Sequence, residues 1–160
     1  MQSNVITFRM KRTAGRSHCP VNYSLETFGD TWSLLIVRDI VFWGKATSRE
    51  FLASEERIAT NILTSRLQHL VRHEILDRTE NSEDRRQDIY RLTDKGLDLI
   101  PILVEICGWS FQHDPLTTAP KNFVDAVYGD RVLMNRLIRD HIRAGGSLFG
   151  KGSFRLPSDA

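Results

Sequence analysis

The sequence predicts a mainly α-helical protein with one small β-hairpin, an α+β arrangement, and three observations predict it. From Ile58 to Arg72 the apolar residues recur at helical spacing, with Leu63, Leu67, Leu70 and Val71 in one sector and Ile62 at its edge. Directly after it come two short segments, Leu76 to Glu80 and Gln87 to Leu92, rich enough in Thr, Ile and Tyr to pair as strands around a polar turn. Helical patterning then fills most of the rest of a 160-residue chain, the length of one ordinary domain or of a compact domain with an added helical arm.

Taken in order, Pro20 to Phe28 reads as a first helix, opened by proline and closed by Gly29. Asp30 or Thr31 caps a second helix that ends at Gly44. Trp32, Leu34, Leu35, Val37, Ile40, Val41 and Phe42 make it apolar on nearly every side except Arg38 and Asp39, as expected of the core. Thr47-Ser48-Arg49-Glu50 is a capping box, and it opens a short helix expected to turn Phe51 and Leu52 inward. The run Ala53 to Arg57 is then a tight turn into the helix that follows. Two helices joined so briefly cross steeply, so that one lies over a nucleic-acid backbone while the other enters the groove.

That second helix has an unusual exposed face. Asn61, Ser65, Gln68 and Arg72 stand opposite the apolar sector, with Thr64 between. Surface helices usually carry Glu and Lys at such positions. Amide and hydroxyl groups replace them here, and these can pair with base edges or phosphates. An ordinary solvated face is the other reading. In the hairpin, Asn81 to Arg86 forms a turn in which Glu83 and Asp84 can bond locally while Arg85 and Arg86 point two guanidinium groups outward, suited to a phosphate backbone or a narrow minor groove. Helix and hairpin in this order predict a winged helix-turn-helix with N- and C-terminal dimerisation helices, acting on double-stranded DNA.

Thr93 caps a long helix running from Asp94 to about His113, which Pro101 is expected to kink. Pro115 to Pro120 is a linker, and a last helix spans about Lys121 to Arg143. The expected organisation is a basic arm over 1–18, the winged domain with dimerisation helices over 19–114, a helical extension over 115–144 and a flexible tail over 145–160. A domain this small cannot readily bury the first, kinked and last helices together. Part of that apolar surface is therefore expected to form a homodimer interface, which a two-fold symmetric operator also requires.

Composition narrows the partners only mildly. The net charge is +2, and from Lys45 to Lys95 ten basic residues balance ten acidic ones. The first 20 residues carry Arg9, Lys11, Arg12 and Arg16 with no acid, an arm for phosphates or a disordered leader. No apolar run approaches the roughly 18 residues of a membrane span and no apolar signal region opens the chain, so a cytoplasmic location without membrane contact is expected. Two cysteines, Cys19 and Cys107, are too few and too distant for a disulfide scaffold.

Four separated stretches carry a resemblance. Cys19-Pro20-Val21, Gly29 to Asp39 (GDTWSLLIVRD), Ile58 to Leu67 (IATNILTSRL) and Tyr90 to Gly96 (YRLTDKG) resemble, in this order, the HxlR-type transcriptional regulators. The resemblance covers roughly residues 19–113. It implies a dimeric winged helix-turn-helix, related in mode of action to MarR-like proteins, that represses or activates nearby genes. It places the recognition helix on Ala59 to His73, with Thr60, Asn61, Thr64, Ser65 and Gln68 as base or phosphate contacts. Arg66 matches the family's arginine, either anchoring a phosphate or packing. The wing falls on Arg85 and Arg86, and Thr47 and Arg49 on the preceding helix complete the DNA-binding candidates. Cys19 matches an N-terminal cysteine that in some members senses oxidants and in others is structural. The extension beyond His113 departs from the short family pattern.

The remaining candidates are weaker. His69 and His73 lie one helical turn apart, as a metal pair would, but no further ligand completes the set, so no metal and no cofactor is expected. Adjacent His18 and Cys19 do not align a nucleophile with its base, and the chain is not expected to be an enzyme. Trp32, Trp43, Trp109, Phe28, Phe42 and Phe111 are either core and dimer contacts or the lining of a pocket for a planar small-molecule effector. A small ligand or a thiol modification is the expected form of control. A winged-helix module that docks onto protein or RNA without reading bases is the competing function.

Overall fold

A computed structural model describes residues 16–157 of the chain. The basic residues Arg9, Lys11 and Arg12 of the expected arm lie outside the described residues. Among the described residues the elements run α1 (Pro20–Phe28), α2 (Ser33–Arg38), a π-helical turn (Asp39–Trp43), α3 (Ser48–Leu52), α4 (Thr60–Arg72), β1 (Leu76–Glu80), β2 (Asp88–Leu92), α5 (Asp94–Leu97), α6 (Ile100–His113), α7 (Lys121–Gly129) and α8 (Arg131–Arg143). This is the mainly helical winged helix-turn-helix that the patterning predicts.

Local chemistry explains most boundaries. Pro20 opens α1, and its end is closed by the Gly29 N–H on the Leu25 carbonyl at 2.9 Å. Asp30 starts α2 by accepting the N–H groups of Trp32 (2.9 Å) and Ser33 (3.0 Å). The π turn ends at Gly44, whose φ of 71° is the left-handed conformation glycine takes without penalty. The Thr47–Glu50 capping box forms as read: Glu50 Oε2 accepts the Thr47 N–H at 2.9 Å, and the Glu50 N–H reaches Thr47 Oγ1 at 3.4 Å. Phe51 is buried, but Leu52 is exposed rather than turned inward, since a five-residue helix buries only one side of its turn.

One continuous core holds the elements together. Ile36, Val37 and Val41 meet Phe51 of α3, Leu63, Leu67 and Leu70 of α4, Ile75 and Leu76 at the wing's root, and Ile100, Leu103 and Val104 of α6. Removing one fully buried leucine, such as Leu67, costs about 2–5 kcal/mol. The wing is an antiparallel pair in the register Leu76↔Leu92 to Glu80↔Asp88. It is tied to the helices by the Tyr90 N–H on the Ala46 carbonyl at 2.7 Å.

The structure corrects three expectations about the C-terminal half. The helix from Asp94 is broken rather than kinked. Proline at 101 cannot donate to the ladder and would crowd the Leu97 carbonyl, so α5 stops at Leu97 and Pro101 sits in the first turn of α6, where no donor is needed. The last helix is also two helices. Asp130 leaves helical geometry at φ −148°, and its carboxylate caps α8 through the Leu133 N–H at 2.9 Å.

The third correction concerns the segment after Gly145, which is packed rather than a flexible tail through residue 157. The π turn leaves the carbonyls of Val41 and Phe42 pointing out of the helix. Leu148 N–H bonds the first at 2.9 Å, and Phe149 and Gly150 N–H groups bond the second at 2.8 and 3.1 Å. Ser147, Leu148 and Leu156 are buried, and the Phe149 ring meets Phe42 and Phe123 edge-on, each at 5.5 Å. Sequence periodicity misses such a segment because it follows another element's unpaired groups and has no repeat of its own.

The extension shares the main core through Phe123, Val127, Met134, Ile138 and Ile142. The last helices are thus covered within one chain. The outer faces of α1 and α6 stay open, with Val21 and Leu25 on one and Ile102, Ile106 and Trp109 on the other.

Candidate nucleic-acid interface

The turn between α3 and α4 is held by a buried ion-pair hub that sequence reading did not pick out as functional. Asp39 is 3% exposed. Its carboxylate accepts Arg38 Nη2 at 2.6 Å and Lys45 Nζ at 3.1 Å, and Ser54 Oγ in the turn also donates to it. Arg38 reaches on to Glu56, two residues beyond Ser54, with Nη2 at 3.0 Å from Oε2. The Arg38 hydrogen bond pulls the Glu56 pKa down to about 2, against a smaller upward push from burial. The only signal in the sequence was the pair Arg38-Asp39 interrupting an otherwise apolar helix. A buried carboxylate must be paired, and here Arg38 and Lys45 come from before α3 and Ser54 from the turn.

On that support α4 buries Leu63, Leu67 and Leu70 and turns Thr60, Asn61, Thr64, Ser65 and Gln68 to solvent. Thr64 Oγ1 donates to the Thr60 carbonyl at 2.9 Å, which holds its hydroxyl along the helix. Ala59, at the N-cap of α4, supplies no side-chain cap, so the first turn's N–H groups receive no bond from it.

Arg66 is not on the open face. It is half-buried, 3.4 Å from Asp30 Oδ2, and pins α4 to the start of α2. Burial pushes the Asp30 carboxyl up, but the Ser33 hydroxyl, the Trp32 and Ser33 N–H groups and Arg66 outweigh it and hold its pKa below the ordinary value. Thr47 is likewise committed, because both sides of its hydroxyl engage Glu50. Arg49 is exposed on α3 and makes no side-chain bond among the described residues.

The wing tip is turned by Asp84 as expected, but by Asn81 in place of Glu83. Asn81 Oδ1 accepts the Glu83 N–H at 3.0 Å and Asp84 Oδ1 the Arg86 N–H at 3.1 Å, two local turns built by side chains. Arg85 and Arg86 are exposed, with no side-chain partner among the described residues. Between wing and helix lies a cleft of about 240 Å³ lined by Gln68, Val71, Arg72, Arg78 and Tyr90. Arg72 and Arg78 were not among the sequence-derived candidates. Arg72 stands on the open face of α4, and Arg78 bridges to Asp88 across the strands at 2.8 Å.

The other candidates separate from this face. Cys19 is exposed at the start of α1, with its N–H on Ser17 Oγ at 3.3 Å. Cys107 is half-buried on α6, and burial pushes its thiol pKa up. The His69 and His73 rings lie 4.3 Å apart, tilted by 42°, but His69 Nε2 is bonded to the Thr27 carbonyl at 2.8 Å. Among the described residues no group of three metal-ligating side chains comes together. The aromatics disperse: Phe28, Trp32 and Phe42 pack on the core, Trp43 meets Phe149, and Trp109 faces outward from α6.

Comparison with known proteins gives a consistent picture. The family model for the HxlR-like helix-turn-helix matches residues 27–117. An uncharacterised HTH-type transcriptional regulator of Mycobacterium tuberculosis is 34% identical over 100 residues, which span 62% of each chain. The HTH-type transcriptional regulator YodB of Bacillus subtilis is 28% identical over 99 residues, covering 61% of this chain and 88% of that one. Among solved structures, PA1607, described as a candidate transcription factor, superposes with a TM-score of 0.58 at 39% identity, over 64% of this chain and 72% of that one. A MarR-family protein from Porphyromonas gingivalis shares the fold, with a TM-score of 0.54 at 23% identity over 64% of this chain and 99% of its own. The matched family segment ends at residue 117, before α7, α8 and the packed segment that follows.

Proposed function

From the premise that this chain belongs to the HxlR-like helix-turn-helix family, we propose that it is a regulator of transcription that binds double-stranded DNA as a homodimer and reads base sequence with α4. The observation that carries this reading is the face of Thr60, Asn61, Thr64, Ser65 and Gln68, which offers amides and hydroxyls without a charged residue among them. Beside it, Arg85 and Arg86 of the wing, without side-chain partners among the described residues, are suited to phosphates. Base edges supply sequence information and phosphates supply position, and the two chemistries are segregated between helix and wing. Arg49 and Arg72 extend the phosphate-facing set, while Thr47 and Arg66 serve it by fixing α3 and α4.

The outer faces of α1 and α6 are the surfaces that suit a second copy. Val21 and Leu25 on α1 are 63% and 61% exposed, and Trp109 on α6 is 64% exposed. Exposed apolar helix faces of this kind suit burial against a partner. Pairing through it brings two copies of α4 to one side, as a palindromic operator requires. A thiol modification at Cys19, exposed at the start of α1, would act on this interface.

Selection of bound duplexes from a random pool tests the reading. A two-fold symmetric consensus is the expected result. Binding that shows no preference among sequences at moderate salt overturns it.

A further inference from the structure

A second cleft, of about 400 Å³, opens where the C-terminal extension meets the reading head. Its volume falls in the range of small-molecule sites. It lies between the end of the π turn (Ile40, Gly44 to Ala46), β2 with the start of α5, and the end of α8 with Ala144 to Gly146. The last of these walls lies outside the residues matched by the family model.

The walls divide by chemistry. Ile40, Tyr90, Leu97 and Ile142 are buried side chains that give the cleft an apolar floor. Lys45 is committed to Asp39 and Ser54. Arg143 and Asp94 neutralise each other at 2.6 Å. Arg91 is exposed and makes no ion pair or hydrogen bond through its side chain among the described residues. At the opposite wall α8 ends. The carbonyls of Asp140, His141 and Ile142 accept the N–H groups of Ala144, Gly146 and Gly145, while those of Arg143 and Ala144 accept no backbone N–H among the described residues. An apolar floor, one unpaired cation and open carbonyl acceptors fit a ligand with an apolar body, one negative charge and a hydrogen-bond donor.

We propose that this cleft binds a small organic carboxylate bearing an apolar group and a hydroxyl or amine, and that its occupation displaces the wing from the helices. The link is direct. The cleft is lined by both Ala46 and Tyr90, whose backbone hydrogen bond at 2.7 Å joins β2 to the loop entering α3. A ligand seated between Arg91 and the end of α8 bears on both partners of that bond. The binding step stands on the cleft alone, whereas its effect on DNA rests on the function proposed above.

Mandelate, phenyllactate and phenylalanine are suitable probes, with mandelamide as the uncharged control, added to the full chain without DNA. Amide NMR is expected to show saturable shifts at Gly44, Gly145 and Gly146 for at least one acid and none for the amide. Arg91→Gln, at an exposed strand position, is expected to abolish them. Ala144→Leu, which fills the cleft and keeps Arg91, is expected to do the same. Binding of none of the three acids at millimolar concentration, or equal binding by Arg91→Gln, overturns the site. With the site intact, affinity for the selected duplex is expected to fall by about fivefold or more on saturation. An unchanged affinity overturns the coupling, while loss of sequence preference without any acid is failure of the DNA reading itself.

Discussion

His69 on α4 donates to the Thr27 carbonyl on α1 at 2.8 Å, so the candidate reading helix and the N-terminal helix are joined by a direct hydrogen bond. Thr27 is 2% exposed, and its hydroxyl already bonds the Tyr23 carbonyl at 2.8 Å. This contact joins the buried side of α1 to α4.

Replacing His69 with Ala leaves that buried carbonyl without its partner, at a cost of about 1–3 kcal/mol. Denaturant unfolding should show a lower midpoint. Hydrogen exchange should quicken in α1 before it does in the core. An unchanged midpoint would mean that water replaces the imidazole at no cost.

Asn61→Ala and Arg85→Ala should fail in different ways. Losing the amide removes about 1–3 kcal/mol of discrimination at the base pair it reads and leaves random duplex bound as before. Losing the wing guanidinium weakens all duplexes alike and lowers the salt dependence by about one counterion. Titrations against selected and random duplex at several salt concentrations separate the two.

Glu56 gives the helix-turn-helix a dependence on acid. Its pKa is about 2 in the folded protein against an ordinary value of 4.5. A carboxyl with a lowered folded pKa contributes stability above its unfolded pKa and loses it as pH falls through the folded one. Glu56→Gln should therefore melt below the unaltered protein at neutral pH. The gap should close between pH 4.5 and about 2. A gap independent of pH would place the effect in packing rather than charge.

The packed C-terminal segment can be dislodged at one atom. A Cβ on Gly150 would lie 2.3 Å from the Trp43 carbonyl oxygen, a backbone atom that cannot swing aside. Gly150→Ala should expose residues 145–157 to limited proteolysis. Gly145→Ala, where added bulk meets nothing but φ is 89°, should have a smaller effect. Equal cleavage of both variants would count against this account of the segment's anchoring.

The two thiols should separate by rate. Cys19 is exposed, while Cys107 is half-buried with its pKa raised by burial. A maleimide should modify Cys19 first, and Cys19→Ser should leave only the slow phase. Comparable rates would show that α6 opens readily.

The chain by itself determined the local elements whose signals are contained in a few neighbouring residues. The Thr47–Glu50 capping box, the apolar stripe of α4, the Asn81 to Arg86 turn and the order of helix and wing all depend on side chains within a turn or two of one another. For the same reason the exposed set from Thr60 to Gln68 could be read in advance. What only tertiary structure decided depends on groups distant in sequence. Arg66 reads as either a phosphate anchor or a packing residue until Asp30 arrives beside it. Asp39 looks like an isolated charge until Lys45 and Ser54 close around it. The glycine-rich end looks unstructured until the π turn offers it two carbonyls. Periodicity records which face of an element is apolar, but a buried polar group is stable only where its partner lies, and that place is set when the chain folds.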